Sequence, residues 1–178
     1  MKTKKTILCL LTVSLLSMSV VPAMTVRASE SSVIKKLCGR FSDYLSYSVG
    51  GQKDGETISL DFKKRKDRKK ALRFMPDLLS KMGASDASKF LFGKRVSGKM
   101  TVTNIDWREN RDIIKIKKIV KKQGRKYQVN FDLIYHEDSD NTKKKYGSGV
   151  FYLKKVKNSR YIVTKLKVKK ICRSPGLI

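Results

Sequence analysis

Residues 126–137 read KYQVNFDLIYHE, and their alternation decides the fold. Tyr127, Val129, Phe131, Leu133 and Tyr135 share one parity, and Gln128, Asn130, Asp132 and His136 share the other, with Ile134 the exception. Successive side chains of a strand point to opposite faces, so this stretch predicts a strand with one apolar and one polar side.

The same texture extends in both directions. After Gly93 the chain is rich in β-branched and aromatic residues at period two, broken by short polar turns. Strands are predicted at about 97–108, 113–121, 126–137, 146–156 and 161–171, joined as a meander through turns at 109–112, 122–125 around Gly124, 138–145, and 157–160 around Asn158 and Ser159. Upstream the period is different. Val33, Ile34, Leu37, Cys38, Phe41, Tyr44 and Leu45 recur at threes and fours, which predicts one amphipathic helix from Ser31 to about Val49, capped by Ser31 or Ser32 and stopped by Gly50 and Gly51. After a loop, Ile58, Leu60 and Phe62 alternate briefly. A second helix is predicted from about Lys64 to Phe74, since the residue before Pro76 resists the helical region. A helical turn over 77–82 stops at Gly83, and a third short helix runs from Ser85 to Phe92.

Helices first and an antiparallel meander afterwards make an α+β chain, in which N-terminal helices pack on a curved antiparallel sheet of about five strands because neither layer buries its apolar side alone. Leu37, Phe41 and Leu45 of the first helix are expected to meet Val129, Phe131 and Leu133 of the sheet. The long first helix, the segment Ala71-Leu72-Arg73-Phe74-Met75-Pro76 and the closing Tyr161-Ile162-Val163-Thr164 strand resemble, in pattern, small exported bacterial members of the nuclear-transport-factor-two-like superfold, sometimes grouped with cystatin-like folds. The resemblance covers nearly all of the chain after residue 28. It implies a sheet wrapped around helices, on a scaffold that hosts isomerases, dehydratases and non-enzymatic binding or accessory modules; function must then come from the site rather than the fold.

The N-terminus reads differently from the rest. Lys2, Lys4 and Lys5 precede an uncharged, mostly apolar run from Thr6 to Val21 that breaks at Pro22, with small-residue cleavage positions after Ala28 or after Ala23. This pattern is that of a secretory signal peptide, so residues 1–28 are expected to be removed and residues 29–178 to form a single α+β domain that is secreted or associated with the extracellular surface. Lys and Arg number 42 against 15 acidic residues, a formal charge of +27, and only Lys2, Lys4, Lys5 and Arg27 lie within the first 28 residues. Apolar content of 40% supplies a core despite the charge and argues against a disordered basic tail. Self-repulsion on this scale destabilises a compact state, and a nearby polyanion relieves it.

The basic residues fall into two kinds of candidate site. Lys63, Lys64, Arg65, Lys66, Arg68, Lys69 and Lys70 form a helical run. Lys165, Lys167 and Lys169 alternate with Leu166 and Val168, as Lys115 and Lys117 alternate with Ile114 and Ile116, so each lysine set lies on one sheet face. If both sets share an exposed face they form a ladder at which the phosphates or carboxylates of a polyanion replace small counterions. For any one strand, the alternative is a solvated face that protects an edge.

Catalytic signals are sparse. The sequence contains no Gly-rich phosphate loop, nucleophile elbow or zinc motif, and once Cys9 leaves with the signal peptide, the two remaining cysteines with one histidine, His136, make a poor metal-ligand set. Asp132 and His136 share a strand face but stand roughly 13 Å apart along it, too far to hydrogen-bond directly, and are expected on the polar outer face. Trp107 reads as a core or sheet-edge aromatic. The expectation is thus a non-enzymatic exported module, without cofactor, whose partners are anionic cell-surface polymers or acidic lipid headgroups. A small-ligand or enzymatic pocket on the same fold is one alternative. An extracellular nucleic-acid binder is another, disfavoured because few aromatics interleave with the strand lysines.

Cys38 and Cys172 lie near opposite ends of the exported chain, where disulfides persist. They are expected to pair, the alternative being two separate buried thiols. A bridge closing so long a loop contributes roughly 4 to 5 kcal/mol in the chain-entropy model. Alkylation of unreduced, denatured protein followed by intact-mass measurement is expected to find neither cysteine modified; two labelled thiols rule the bridge out.

Overall fold

A computed structural model describes residues 26–103, 113–136, 143–157 and 160–171. The elements run α1 (Ala28–Gly39), α2 (Ser42–Gly50), β1 (Thr57–Asp61), α3 (Arg65–Leu72), α4 (Pro76–Phe92), β2 (Ile113–Lys122), β3 (Lys126–His136), β4 (Lys143–Lys155) and β5 (Tyr161–Lys170). The chain is α+β, with its helices preceding an open five-stranded antiparallel sheet of order β1-β5-β4-β3-β2. Strands β2 to β5 form the expected meander. β1, although early in the chain, adds to the far edge through pairs such as Ile58 with Val168 and Leu60 with Leu166.

That fifth strand is a correction. Residues 97–103 were expected to begin a strand and instead form no regular structure, while 104–108, with Trp107, lie outside the described residues. The physical reason is local anchoring to α3. Arg65 Nη2 donates to the Ser97 carbonyl at 2.6 Å and to Ser97 Oγ at 3.0 Å, and the Thr103 amide donates to the Arg73 carbonyl at 2.9 Å. These bonds hold the segment as a loop against the helix. β1 takes the edge place because the brief Ile58, Leu60, Phe62 alternation continues the buried face.

The single helix expected over 31–49 is two. α1 ends at Gly39 and α2 starts at Ser42, with Phe41 N bonded to the Cys38 carbonyl at 3.0 Å in the turn between them. The break lets the Phe41 ring enter the core, where its centroid lies 5.3 Å from Phe151, 5.9 Å from Phe62 and 6.1 Å from Phe92. The helix also begins a turn earlier than expected, with Arg27 rather than Ser31 or Ser32 at the cap position. By contrast, the break expected at Gly83 is present: within α4 that residue sits at φ 69°, ψ 164°, a conformation open to glycine and strained for other residues.

Leu37, Phe41 and Leu45 are buried with Val129, Phe131 and Leu133 in one hydrophobic core. The aromatic contact that joins them runs through β4, since Phe151 lies 4.7 Å from Phe131 and 5.3 Å from Phe41. Gly149 makes this possible. A Cβ at that position would lie 2.5 Å from Cζ of Phe131 and 2.6 Å from the Lys167 carbonyl, so only a glycine lets the Phe131 ring cross β4. β4 starts at Lys143, earlier than the expected Tyr146, because a register shift at Leu133/Ile134 makes Tyr146 an extra residue and lets Lys143, Lys144 and Lys145 continue the pairing. Further shifts at Ile116/Lys118 and Tyr152/Leu153 bend the strands locally. Cys38 is buried and burial pushes its thiol pKa up, while Cys172, its expected partner, lies outside the described residues.

Truncating Phe41 to alanine is expected to cost roughly 3 to 5 kcal/mol, because it empties the centre of this aromatic cluster. Gly149→Ala is expected to cost roughly 1 to 3 kcal/mol by overpacking against Phe131 and the β5 backbone. Denaturant midpoints measured for both variants check these values.

Candidate anion-binding face

Around the middle of the sheet β1, β3, β4 and β5 turn one parity into the core, and in β5 the extra residue Thr164 moves the buried parity from Tyr161 and Val163 to Leu166 and Val168. Ile58 and Leu60, Leu166 and Val168, Phe151 and Leu153, and Val129, Phe131 and Leu133 are all buried. The opposite parity faces away from the helices, and the registers align it in rows. One row runs Thr57, Lys169, Ser148, Asp132, Lys115 across β1, β5, β4, β3 and β2; the next runs Ser59, Lys167, Val150, Asn130, Lys118; a third runs Asp61, Lys165, Tyr152, Gln128, Val120. Lys165, Lys167 and Lys169 therefore form a column on β5, and Lys115 and Lys117 belong to a second on β2, on the same face. The shift at Ile116/Lys118 adds a residue that strict alternation misses: Lys117 and Lys118 are consecutive and both exposed.

Two strands separate the columns, an interval of roughly 14 Å at ordinary strand spacing. Between them lies an open groove of about 380 Å³, with Ser148, Gly149 and Val150 of β4 in its lining, Lys117 on one side and Lys167 and Lys169 on the other. Small residues on β4 keep this floor low. Asp132 is also in the groove, half-buried, with its carboxylate 2.8 Å from Lys145 Nζ and 4.0 Å from Lys117 Nζ. It neutralises part of the lysine field from within the protein. Lys115, Lys165, Lys167 and Lys169 make no ion pair among the described residues. The side chain of His136 lies outside what the structure describes, so only Asp132 of that pair is placed.

The helical run behaves differently from the strand lysines. Lys63, Lys64, Arg65 and Lys66 are exposed, but α3 buries Ala71 and Leu72 in the core on the helical side of the sheet, so this run and the strand columns occupy different layers. Arg68, read from sequence as one of the run's surface cations, is buried. Its guanidinium donates to the carbonyls of Phe62 and Lys63 at 2.8 Å each and to that of Arg95 at 3.3 Å, and burial lowers its pKa. This arginine ties β1, α3 and the loop after α4 together, because buried cations need hydrogen-bond partners. Lys170 is buried too. Its ammonium donates to Gly50 O at 3.1 Å and Gln52 O at 2.7 Å, closing the C-terminal end of α2, where a cation also complements the helix dipole. The parity of Leu166 and Val168 already points Lys170 inward, a signal present in the sequence.

One further cluster carried no sequence signal. Glu30, in the first turn of α1, places its Oε1 2.9 Å from the Tyr161 hydroxyl and 3.4 Å from that of Tyr127, both of which donate to it, and forms an ion pair with Lys155. The Lys155 hydrogen bond, and then that of Tyr161, hold the Glu30 carboxyl at about 2, below its ordinary 4.5. Burial first, and the Glu30 contact second, push Tyr161 in the opposite direction. These contacts bridge 97 to 131 residues of sequence, which is why no local pattern announces them.

A carboxyl whose folded pKa is depressed stabilises the fold above its unfolded pKa and loses that contribution as pH falls through the folded value. Glu30→Gln is expected to be less stable than wild type at pH 6 by on the order of 2 kcal/mol. The gap is expected to close between about pH 4.5 and 2, and thermal melts of both proteins across that range measure it. Comparison of the chain with protein-family models, with characterised proteins and with solved structures finds no match.

Proposed function

We propose that this protein is an exported, non-enzymatic module that binds anionic surface polymers, such as phosphate-rich wall polymers or acidic lipid headgroups, through the outer face of its sheet. The observation that carries the reading is the pair of lysine columns, on β5 and β2, flanking a low groove on the face that no helix covers. Cations held in columns, most of them with no carboxylate partner among the described residues, confine counterions, and a polyanion that displaces them gains their release entropy. The sequence pattern resembles a superfold in which binding modules without catalysis occur, and that resemblance supports a non-catalytic reading. Of the residues in the three rows, Tyr152 alone is aromatic, which favours backbone-charge recognition over base stacking. Exposed Lys63, Lys64, Arg65 and Lys66 add long-range attraction from the helical layer rather than contacts at the groove.

Replacing Lys165, Lys167 and Lys169 together by glutamine is expected to lower retention on phosphate-rich wall polymer and on anionic vesicles. It is also expected to flatten the slope of log affinity against log salt by about one for each lysine that no longer neutralises a phosphate. Asp132→Asn is expected to act oppositely, eluting at higher salt, because Lys117 and Lys145 lose their internal counter-ion. Retention across a salt series, with DNA as a third matrix and thermal melts as the folding control, measures both effects. Equal retention of wild type and the triple variant on every polyanion overturns the proposal; preferential loss on DNA moves the assignment to nucleic acid.

A further inference from the structure

A cavity of about 500 Å³ opens beside the first turn of α1, on the helical side of the sheet and away from the lysine columns. Strand parity explains its chemistry. Lys121 pairs with Tyr127 and Lys155 with Tyr161, and both tyrosines are buried, so these two lysines lie on the inward parity at the end of the sheet. Arg27 completes the cationic lining and Val33, an exposed apolar residue, stands beside it. Three cations thus face one carboxylate. Glu30 is committed through Oε1 to Lys155 and the tyrosine hydroxyls, whereas the side chains of Lys121 and Arg27 make no hydrogen bond or ion pair among the described residues.

Two uncommitted cations around a cavity of ligand size repel each other, and a small dianion between them removes the repulsion. We propose that this cavity binds a small phosphate monoester, with its phosphate between Lys121 and Arg27 and its organic part against Val33. A guanidinium offers paired donors to two phosphate oxygens, and an ammonium serves as a point charge, so the two cations are complementary in geometry. The Glu30, Lys155 and Tyr161 cluster forms a fixed wall that is already neutralised and does not compete for the ligand. Cleavage after Ala23 keeps Arg27 in the exported chain, and the site is that of the chain so processed. This site is independent of the polymer-binding face.

The test is an NMR titration of the chain from Met24 to Ile178, the product of cleavage after Ala23, with glycerol 3-phosphate and with inorganic phosphate at constant ionic strength. Saturable amide shifts are expected at Ser29, Lys121 and Tyr161, with the ester binding more tightly than inorganic phosphate. Lys121→Gln is expected to weaken ester binding about tenfold, and Lys121→Arg to restore most of it. The Lys165, Lys167, Lys169 triple glutamine variant is expected to bind the ester as wild type does, which separates this site from the outer face. Non-saturating shifts spread over surface lysines, or wild-type affinity in Lys121→Gln, overturn the site. Equal affinity for ester and inorganic phosphate overturns the monoester assignment.

Discussion

The Phe41 ring is the contact on which the two halves of the chain bear. It touches Phe62 at the end of β1, Phe92 at the end of α4 and Phe151 in the middle of β4, and Phe151 in turn meets Phe131 of β3. Phe62 and Phe92 stack at 4.3 Å, so helix and edge strand are joined a second time. Rings of this size bury large apolar areas and favour tilted or edge-on contacts, which fix both the depth and the angle at which the helices sit. Two backbone features serve the cluster: the break between α1 and α2 that admits Phe41, and the missing side chain at Gly149 that admits Phe131.

Because the helices cover one face of the sheet, the other is left to solvent, and the charge is distributed accordingly. Of the cations on the covered side, Arg68 and Lys170 are satisfied by backbone carbonyls and Lys155 by Glu30, whereas Lys121 lines the cavity beside α1. This is what burial demands, since an unpartnered buried charge is far more costly than an exposed one. Cations on the open side need no such partners, and most of the strand lysines there have none among the described residues. Asp132 and Glu30 are two acidic residues set among these lysines. Each draws two basic groups close to it, Lys117 and Lys145 for Asp132, Lys155 and Lys121 for Glu30, although Lys121 acts on Glu30 only through its field.

Much of the architecture was legible in the sequence because it is local. Period two in β3, and in β5 from Lys165 onward, assigned each side chain to a face without any knowledge of the partner strands, and the registers keep those assignments: Lys165, Lys167 and Lys169 lie opposite Leu166 and Val168. The glycine at 83 and the pair at 50 and 51 marked helix interruptions through backbone conformation, again a property of single residues. The ordering of helices before strands required the α+β layering, since amphipathic elements must cover one another.

Non-local contacts decided the rest. Whether residues 57–61 or 97–103 joined the sheet depended on Arg65 reaching Ser97, and no window of sequence contains that competition. A period of threes and fours runs unbroken through Arg40 and Phe41, yet the helix parts there because three distant rings receive Phe41. Lysines and arginines look alike in a chain this basic; only the tertiary structure separates Lys170 and Arg68, held by carbonyls in the interior, from Lys167 and Lys169 on the open face. The sequence determined which residues could share a face, because alternation is a property of the extended backbone. Tertiary structure determined which faces, charges and helix ends came together, because those choices rest on contacts between residues up to 131 positions apart.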